Sequence, residues 1–202
     1  MVKAALLIDG GHLRVATKRL RLDYTPNLIE RFALSCLTSE EDFLRIFYYD
    51  CPPYRGQQKL PVSGTTIDLT RDDVLLEDLA SRDLFAIRKG ALAFRGWVPK
   101  KLPVDGRLLR DDDFRPNFEQ KGVDMRIGLD IATLAEDRIV ERIILVSADT
   151  DMIPAMKHAR KKGLQIVAVQ LPRPTFPLTR QFMAHADFRR EVPLSPAASP
   201  GC

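Results

Sequence analysis

Residues Ala4 to Ile8 form an unbroken apolar run of strand length that ends on Asp9-Gly10-Gly11. From His12 to about Leu20 the pattern changes to helical spacing. A short continuous apolar run marks a strand covered on both faces, so the chain is predicted to open with a buried strand leading into a helix. Pro26 is placed to start a second helix running to about Leu37, because its fixed φ suits the first helical position. The run from Phe43 to Tyr49, rich in aromatic and branched residues, predicts a second strand, which Cys51-Pro52-Pro53 then breaks.

Asp72 can cap a helix in which Val74, Leu75, Leu79, Leu84 and Ile87 recur, with Gly90 as its end. Ala91 to Val98 reads as a strand. Asp105-Gly106, within Val104 to Leu109, favours a tight turn, which makes residues 90–118 a hairpin-like insert. Val123, Ile127, Ile131 and Leu134 lie at helical spacing, and Met125, Leu129 and Ala132 make the other side apolar too, so this helix is expected to be well buried. Ile143 to Val146 is a buried strand, Asp151 to Lys162 a helix closed by Gly163, and Leu164 to Val169 a further strand. Strands and helices alternating in this way predict an α/β domain with a mainly parallel sheet. One domain over 1–190 is expected, followed by a disordered tail at 191–202 that holds three prolines.

The length of 202 residues suits one well-buried domain, and 45% hydrophobic with 29% charged residues fits a soluble globular chain. The start lacks a secretory pattern, and three scattered cysteines make neither a zinc knuckle nor a disulfide framework, so the cytosol is the expected compartment. Net charge is only +4, yet from Met152 to Arg190 eight Lys or Arg face one Asp. That asymmetry suggests a polyanionic partner, although a solvated surface produces the same pattern.

In a parallel open sheet, ligands bind beyond the carboxyl ends of the strands. Acids stand there: Asp9 after the first strand, Asp50 after the second, and Asp149 and Asp151 after Ile143 to Val146. Each alone can be a helix cap. Asp124 falls in the first turn of the helix that follows Gly122, whereas Asp130 lies about 120° further round and can pair with Arg126. Asp111-Asp112-Asp113 reads as a solvated turn. Several Asp residues without His or Cys partners form the ligand set of a hard divalent ion, Mg²⁺ or Mn²⁺, which serves phosphoryl chemistry. The glycines of a nucleotide-binding loop are not present after the first strand.

Four blocks, Leu7-Ile8-Asp9-Gly10-Gly11-His12-Leu13, Tyr48-Tyr49-Asp50, Lys121-Gly122-Val123-Asp124 with Leu129-Asp130, and Ile144 to Pro154 with its Ser147-Ala148-Asp149-Thr150-Asp151 core, together resemble a NYN domain. This is a branch of the PIN-like nucleases that includes LabA-like bacterial proteins. The resemblance implies a Rossmann-like PIN-type fold whose acids bind Mg²⁺ or Mn²⁺ and hydrolyse RNA. Carried over by motif, Asp9, Asp124, Asp149 and Asp151 are the metal and catalytic acids, with Asp130 a weaker fifth. The chain departs from the usual pattern at His12, where Asn is usual, and at Ala148, where Gly is.

The reading is therefore a metal-dependent ribonuclease, with a non-catalytic RNA-binding or regulatory NYN module as the alternative and a phosphatase, suggested by Asp149-x-Asp151, ranked below both. His12, Lys157, Lys161, Lys162 and Trp97 are the expected substrate contacts, with Arg95, Lys100 and Lys101 beside Trp97 on the insert. The expected partner is RNA, single-stranded for preference, with no membrane; self-association into a homo-oligomer is left open.

Overall fold

A computed structural model describes residues 1–101 and 108–194. The chain runs β1 (Val2–Asp9), α1 (Gly10–Leu20), α2 (Pro26–Ser35), β2 (Glu41–Asp50), β3 (Gln57–Lys59), β4 (Thr66–Asp68), α3 (Val74–Ala80), β5 (Phe85–Lys89), β6 (Ala91–Pro99), β7 (Phe114–Lys121), α4 (Val123–Glu136), β8 (Arg142–Val146), α5 (Ile153–Lys161), β9 (Gln165–Gln170), α6 (Arg180–Met183) and β10 (Phe188–Glu191). Six strands form one sheet in the order β10-β9-β8-β1-β2-β5, and every neighbouring pair in it is parallel. The fold class is thus the expected α/β sandwich around a parallel sheet.

Successive strand residues point to opposite faces, and β1 shows the consequence. Ala4, Leu6 and Ile8 enter a core with Leu13 and Ala16 of α1, Ile29 and Phe32 of α2, and Leu76 and Leu79 of α3. Ala5 and Leu7 enter a second core with Ile127 and Ile131 of α4, Met156 and Ala159 of α5, and Phe182. All five β1 residues are fully buried. The helix starts follow from local chemistry. Asp9 and Thr25 cap α1 and α2 by accepting from His12 N and Leu28 N, and Pro26 sits in the first turn.

Three expectations are corrected. The helix expected to run from Asp72 to Gly90 stops at Ala80, and Phe85–Lys89 is instead the edge strand β5, paired with Ile46–Asp50 of β2. Leu84 and Ile87 continue a helical spacing by coincidence; pairing with a strand forty residues away decides the conformation. The expected full burial of α4 holds on one side only, since Met125 and Leu129 are 72% and 60% exposed. The sheet covers one face of this helix, and the opposite face has no layer over it among the described residues.

The first residues of the expected tail are structured: Glu191 lies in β10, and Val192 and Leu194 are buried in the first core. Residues 195–202 and the Asp105-Gly106 turn lie outside the described residues. The insert is a two-stranded antiparallel arm, β6 with β7, and the polar β7 was not foreseen.

A buried ion network closes the amino edge of the sheet. Glu41, whose side chain is fully buried, accepts from Arg142 Nη1 at 2.6 Å, from Arg190 Nη2 at 2.8 Å and from the Thr38 backbone N–H at 2.9 Å. Burial pushes its carboxyl up, but the hydrogen bonds from Arg190 and Arg142 outweigh that and hold it down to about 2. Glu41→Gln leaves two largely buried guanidinium groups without a counter-charge, and unfolding in urea should show a loss of about 3 kcal/mol at neutral pH. A carboxylate held below its ordinary value stabilises fully above the unfolded glutamate range and loses that contribution as pH falls through about 2. The difference between the two proteins should therefore close on acidification.

Candidate active site

After β1 the chain builds β2 and β5 on one side, then returns to build β8, β9 and β10 on the other. The switch point thus lies between the carboxyl ends of β1 and β8, where crevices form in open α/β sheets. Ile8 pairs with Val146, so Asp9 and Ser147 leave the sheet side by side. Ser147 Oγ lies 3.5 Å from Asp9 Oδ2 and accepts from the Asp149 backbone N–H at 3.2 Å, joining the two loops. Asp149 then caps a short 3-10 turn (Thr150–Met152) by accepting from the Asp151 N–H at 2.9 Å. Asp124 reaches the same edge because Gly122, at φ +76°, turns the chain from β7 directly into α4.

The electrostatics show that these acids sense one another. Burial raises the Asp9 pKa, hydrogen bonds from the His12 and Gly11 backbones oppose the rise, and the charges of Asp50 and Asp149 add to it. Partial burial raises that of Asp124, followed by the charges of Asp149, Asp9 and Asp151. No Lys, Arg or His among the described residues forms an ion pair with Asp9, Asp124, Asp149 or Asp151. The donor set is carboxylate oxygen throughout, which suits a hard divalent cation in kind and in charge. Among the described residues, however, no group of three or more His, Cys, Asp or Glu side chains is drawn close enough to hold an ion as it stands.

Asp50 is the buried back wall of this edge, 1% exposed. Its carboxylate accepts from Arg14, from the Cys51 N–H at 2.7 Å, from Tyr48 Oη at 3.3 Å and from Gln120 Nε2 at 3.3 Å. Tyr24 Oη meets Tyr48 Oη and donates to Gly10 O at 3.0 Å. Gly10 is required here by close approach, since a Cβ would come within 2.7 Å of Asp50 Oδ2 and 2.8 Å of Tyr49 O. The sequence signalled Asp50 by its place after a strand; Arg14 and Gln120 carried no signal, because only tertiary contact brings them in.

The other expected residues are placed as follows. Asp130 does not pair with Arg126. It accepts from Tyr49 Oη at 2.7 Å and from Arg88 Nε at 2.8 Å, toward β2 and β5 and away from the four acids. Arg126 instead donates to Gly122 O at 2.8 Å. His12 lies in the first turn of α1 beside Asp9, and burial pushes its imidazole pKa down. Lys157 is halfway along α5. Lys161 and Lys162 end that helix, roughly 12 Å from its start, toward the amino edge of the sheet.

Half of the eight basic residues are neutralised: Arg160 by Asp187, Lys162 by Glu136, Arg189 by Glu191 and Arg190 by Glu41. Trp97 lies six residues up the arm from Ala91, on the order of 20 Å from its base, with Nε1 donating to Lys59 O at 2.8 Å and its ring edge-on to Phe94. It anchors the insert. Arg95 is paired with Glu119 at 2.5 Å.

A family model described as NYN domain matches residues 77–187, a span that takes in Asp124, Asp149 and Asp151 and stops short of Asp9. The match is to the family and does not single out its LabA-like branch. No curated protein and no solved structure shows significant similarity. Among the described residues no helix is long and apolar enough to cross a membrane.

Asp9→Asn should raise stability in chelator at neutral pH, by on the order of 1 kcal/mol, because Asn caps α1 equally well and removes the repelling charge. The sign follows from the raised pKa of Asp9. Its favourable contribution is complete below the unfolded aspartate range and is lost as pH rises through the folded value. Thermal melts of both proteins should therefore converge in acid and separate toward neutrality.

Proposed function

Because the chain belongs to the NYN domain family of the PIN-like nucleases, we propose that it is a metal-dependent ribonuclease whose substrate is RNA. The observation that carries this reading is the convergence of Asp9, Asp124, Asp149 and Asp151 on the switch point of the sheet without a protein cation among the described residues to offset them. Carboxylates gathered in this way at a cost in repulsion call for a ligand of opposite charge.

The four acids would hold Mg²⁺ or Mn²⁺. When bound, such an ion activates water and offsets charge on a phosphate. The rest of the work belongs to the chain. Ser147 links the loop of Asp149 to Asp9 and so holds the acids that follow β1 and β8 side by side. Gly10 and Gly11 let the first turn of α1 pack closely against Asp50, Tyr49 and Gln120. Arg14 is held by Asp50 with its side chain 43% exposed and is placed to meet a phosphate oxygen. Asp130, held by Tyr49 and Arg88, acts as a support for α4 and stays outside the ligand set.

Purified protein incubated with labelled single-stranded RNA, duplex RNA and single-stranded DNA, in Mg²⁺, in Mn²⁺ and in chelator, tests the proposal. Cleavage of RNA that appears with the metal and disappears with chelator is expected. Asp124→Asn and Asp149→Asn should each reduce it by about a hundredfold or more while leaving the melting transition in place, the scale seen when one group stabilising a transition state is removed. RNA that is bound but uncut under every condition would make the domain an RNA-binding module.

A further inference from the structure

A cleft of about 470 Å³ lies between the insert and the candidate active site, lined by Arg14, Tyr54, Arg71, Leu92, Phe118 and Gln120 among others. Its volume falls within the roughly 300–1,000 Å³ range of small-ligand sites. The cleft is continuous with the acid edge. Gln120, near the foot of β7, donates to Asp50 and crowds Gly11, where a Cβ would lie 2.9 Å from Gln120 Oε1 and 3.3 Å from Asp9 Oδ1. Arg14 belongs to both places, with one edge of its guanidinium on Asp50 and its side chain lining the cleft.

The chemistry of the walls is specific. Tyr54 and Phe118 pack with ring centroids 5.3 Å apart at 37° and are half-buried. Phe94 backs both rings, and Tyr54 Oη accepts from Gln58 Nε2 at 2.7 Å, so the aromatic wall is preformed. Arg71, at the rim, is exposed and has no hydrogen bond or ion pair among the described residues. An aromatic surface flanked by one held and one free guanidinium, opening onto a site proposed to cut phosphodiesters, matches one unpaired nucleotide. An unstacked base presents a face to the rings and a phosphate to the cations, whereas a base inside a duplex has no free face to offer.

Resting on the ribonuclease reading for the identity of the strand, we propose that this cleft seats one nucleotide of single-stranded RNA next to the phosphate at the acid site, its base against Tyr54 and Phe118 and its own phosphate on Arg71 and Arg14. The cleft thereby selects single strands and sets how the chain enters the site. The stacking surface lies at the base of the insert, and Trp97 further up the arm takes no part in it.

Binding measured in chelator separates this proposal from the cleavage reading. Fluorescence anisotropy with a labelled single-stranded RNA should show tight binding by the wild type and poor competition by a duplex of the same sequence. Tyr54→Leu, which keeps apolar bulk in the wall, should weaken binding roughly 5- to 150-fold. Arg71→Ala, at an exposed and unpaired position, should weaken it and reduce the slope of log K against log salt by about 0.7, the value for one lost single-strand phosphate contact. An RNA carrying one abasic nucleotide should lose affinity for the wild type and lose little more on Tyr54→Leu.

Unchanged affinity and salt slope in both Arg71→Ala and Tyr54→Leu, or competition by duplex as strong as by single strand, would overturn the proposal. RNA held through Tyr54 and Arg71 yet never cut in Mn²⁺ would uphold the cleft and remove the nuclease reading. RNA cut normally by Tyr54→Leu and Arg71→Glu would do the reverse.

Discussion

The first strand is buried on both faces, and the positions of Asp9, of Asp50 and of the loop that carries Asp149 follow from that constraint. Side chains of β1 alternate between two cores, so a slip of one residue would exchange both sets at once and place α1-facing residues under α4. The register is therefore fixed from Ala4 to Ile8, and with it the point where Asp9 leaves the sheet. Parallel pairing to β8 and β2 then sets Ser147 beside Asp9 and places Asp50 one residue past its partner Tyr49. A hydrophobic requirement in the interior thus becomes a geometric statement about carboxylates at the edge.

That edge carries a cost which the two cores offset. Asp9 is pushed toward its neutral form by burial and by Asp50 and Asp149, and Asp124 by its own partial burial and its acid neighbours. The fold contains the opposite solution as well. At the amino edge Glu41 is given two guanidinium groups and stays ionised. The same type of group has two guanidinium partners at one end of the sheet and carboxylate neighbours at the other, and that contrast supports the site proposed at the carboxyl edge. Asp50 stands between the two cases: buried like Glu41, it has Arg14 as its counter-charge, and Arg14 in turn lines the cleft beside the insert.

The insert adds a second surface to this plan. β6 and β7 leave the sheet after β5 and return at Gly122, so the foot of the arm is held against the first turn by Gln120 while its aromatic residues pack among themselves. A pair of rings and two arginines then line one cleft, which the Gln120 contact joins to the first turn.

The sequence by itself determined the class of fold, since a two-sided apolar run and helical spacing are local periodicities that survive without tertiary information. It also marked Asp9, Asp124, Asp149 and Asp151, because acids directly after buried strands and at helix starts must emerge at the carboxyl edge. Tertiary structure decided the rest. β5 is a strand because β2 lies beside it, although Leu84 and Ile87 fit a helix. Met125 and Leu129 are exposed because only one face of α4 meets the sheet, and Val192 and Leu194 are core residues because a first-core surface awaits them. Asp130 had Arg126 at the right spacing, yet Tyr49 and Arg88 approach it from other strands and take it. Lys161 and Lys162 share a helix with the acid edge but lie at its far end, since α5 runs antiparallel to the strands. Arg14, Gln120 and Tyr54 became candidate site residues only through contacts between segments far apart in the chain, and no pattern along a single stretch records such contacts.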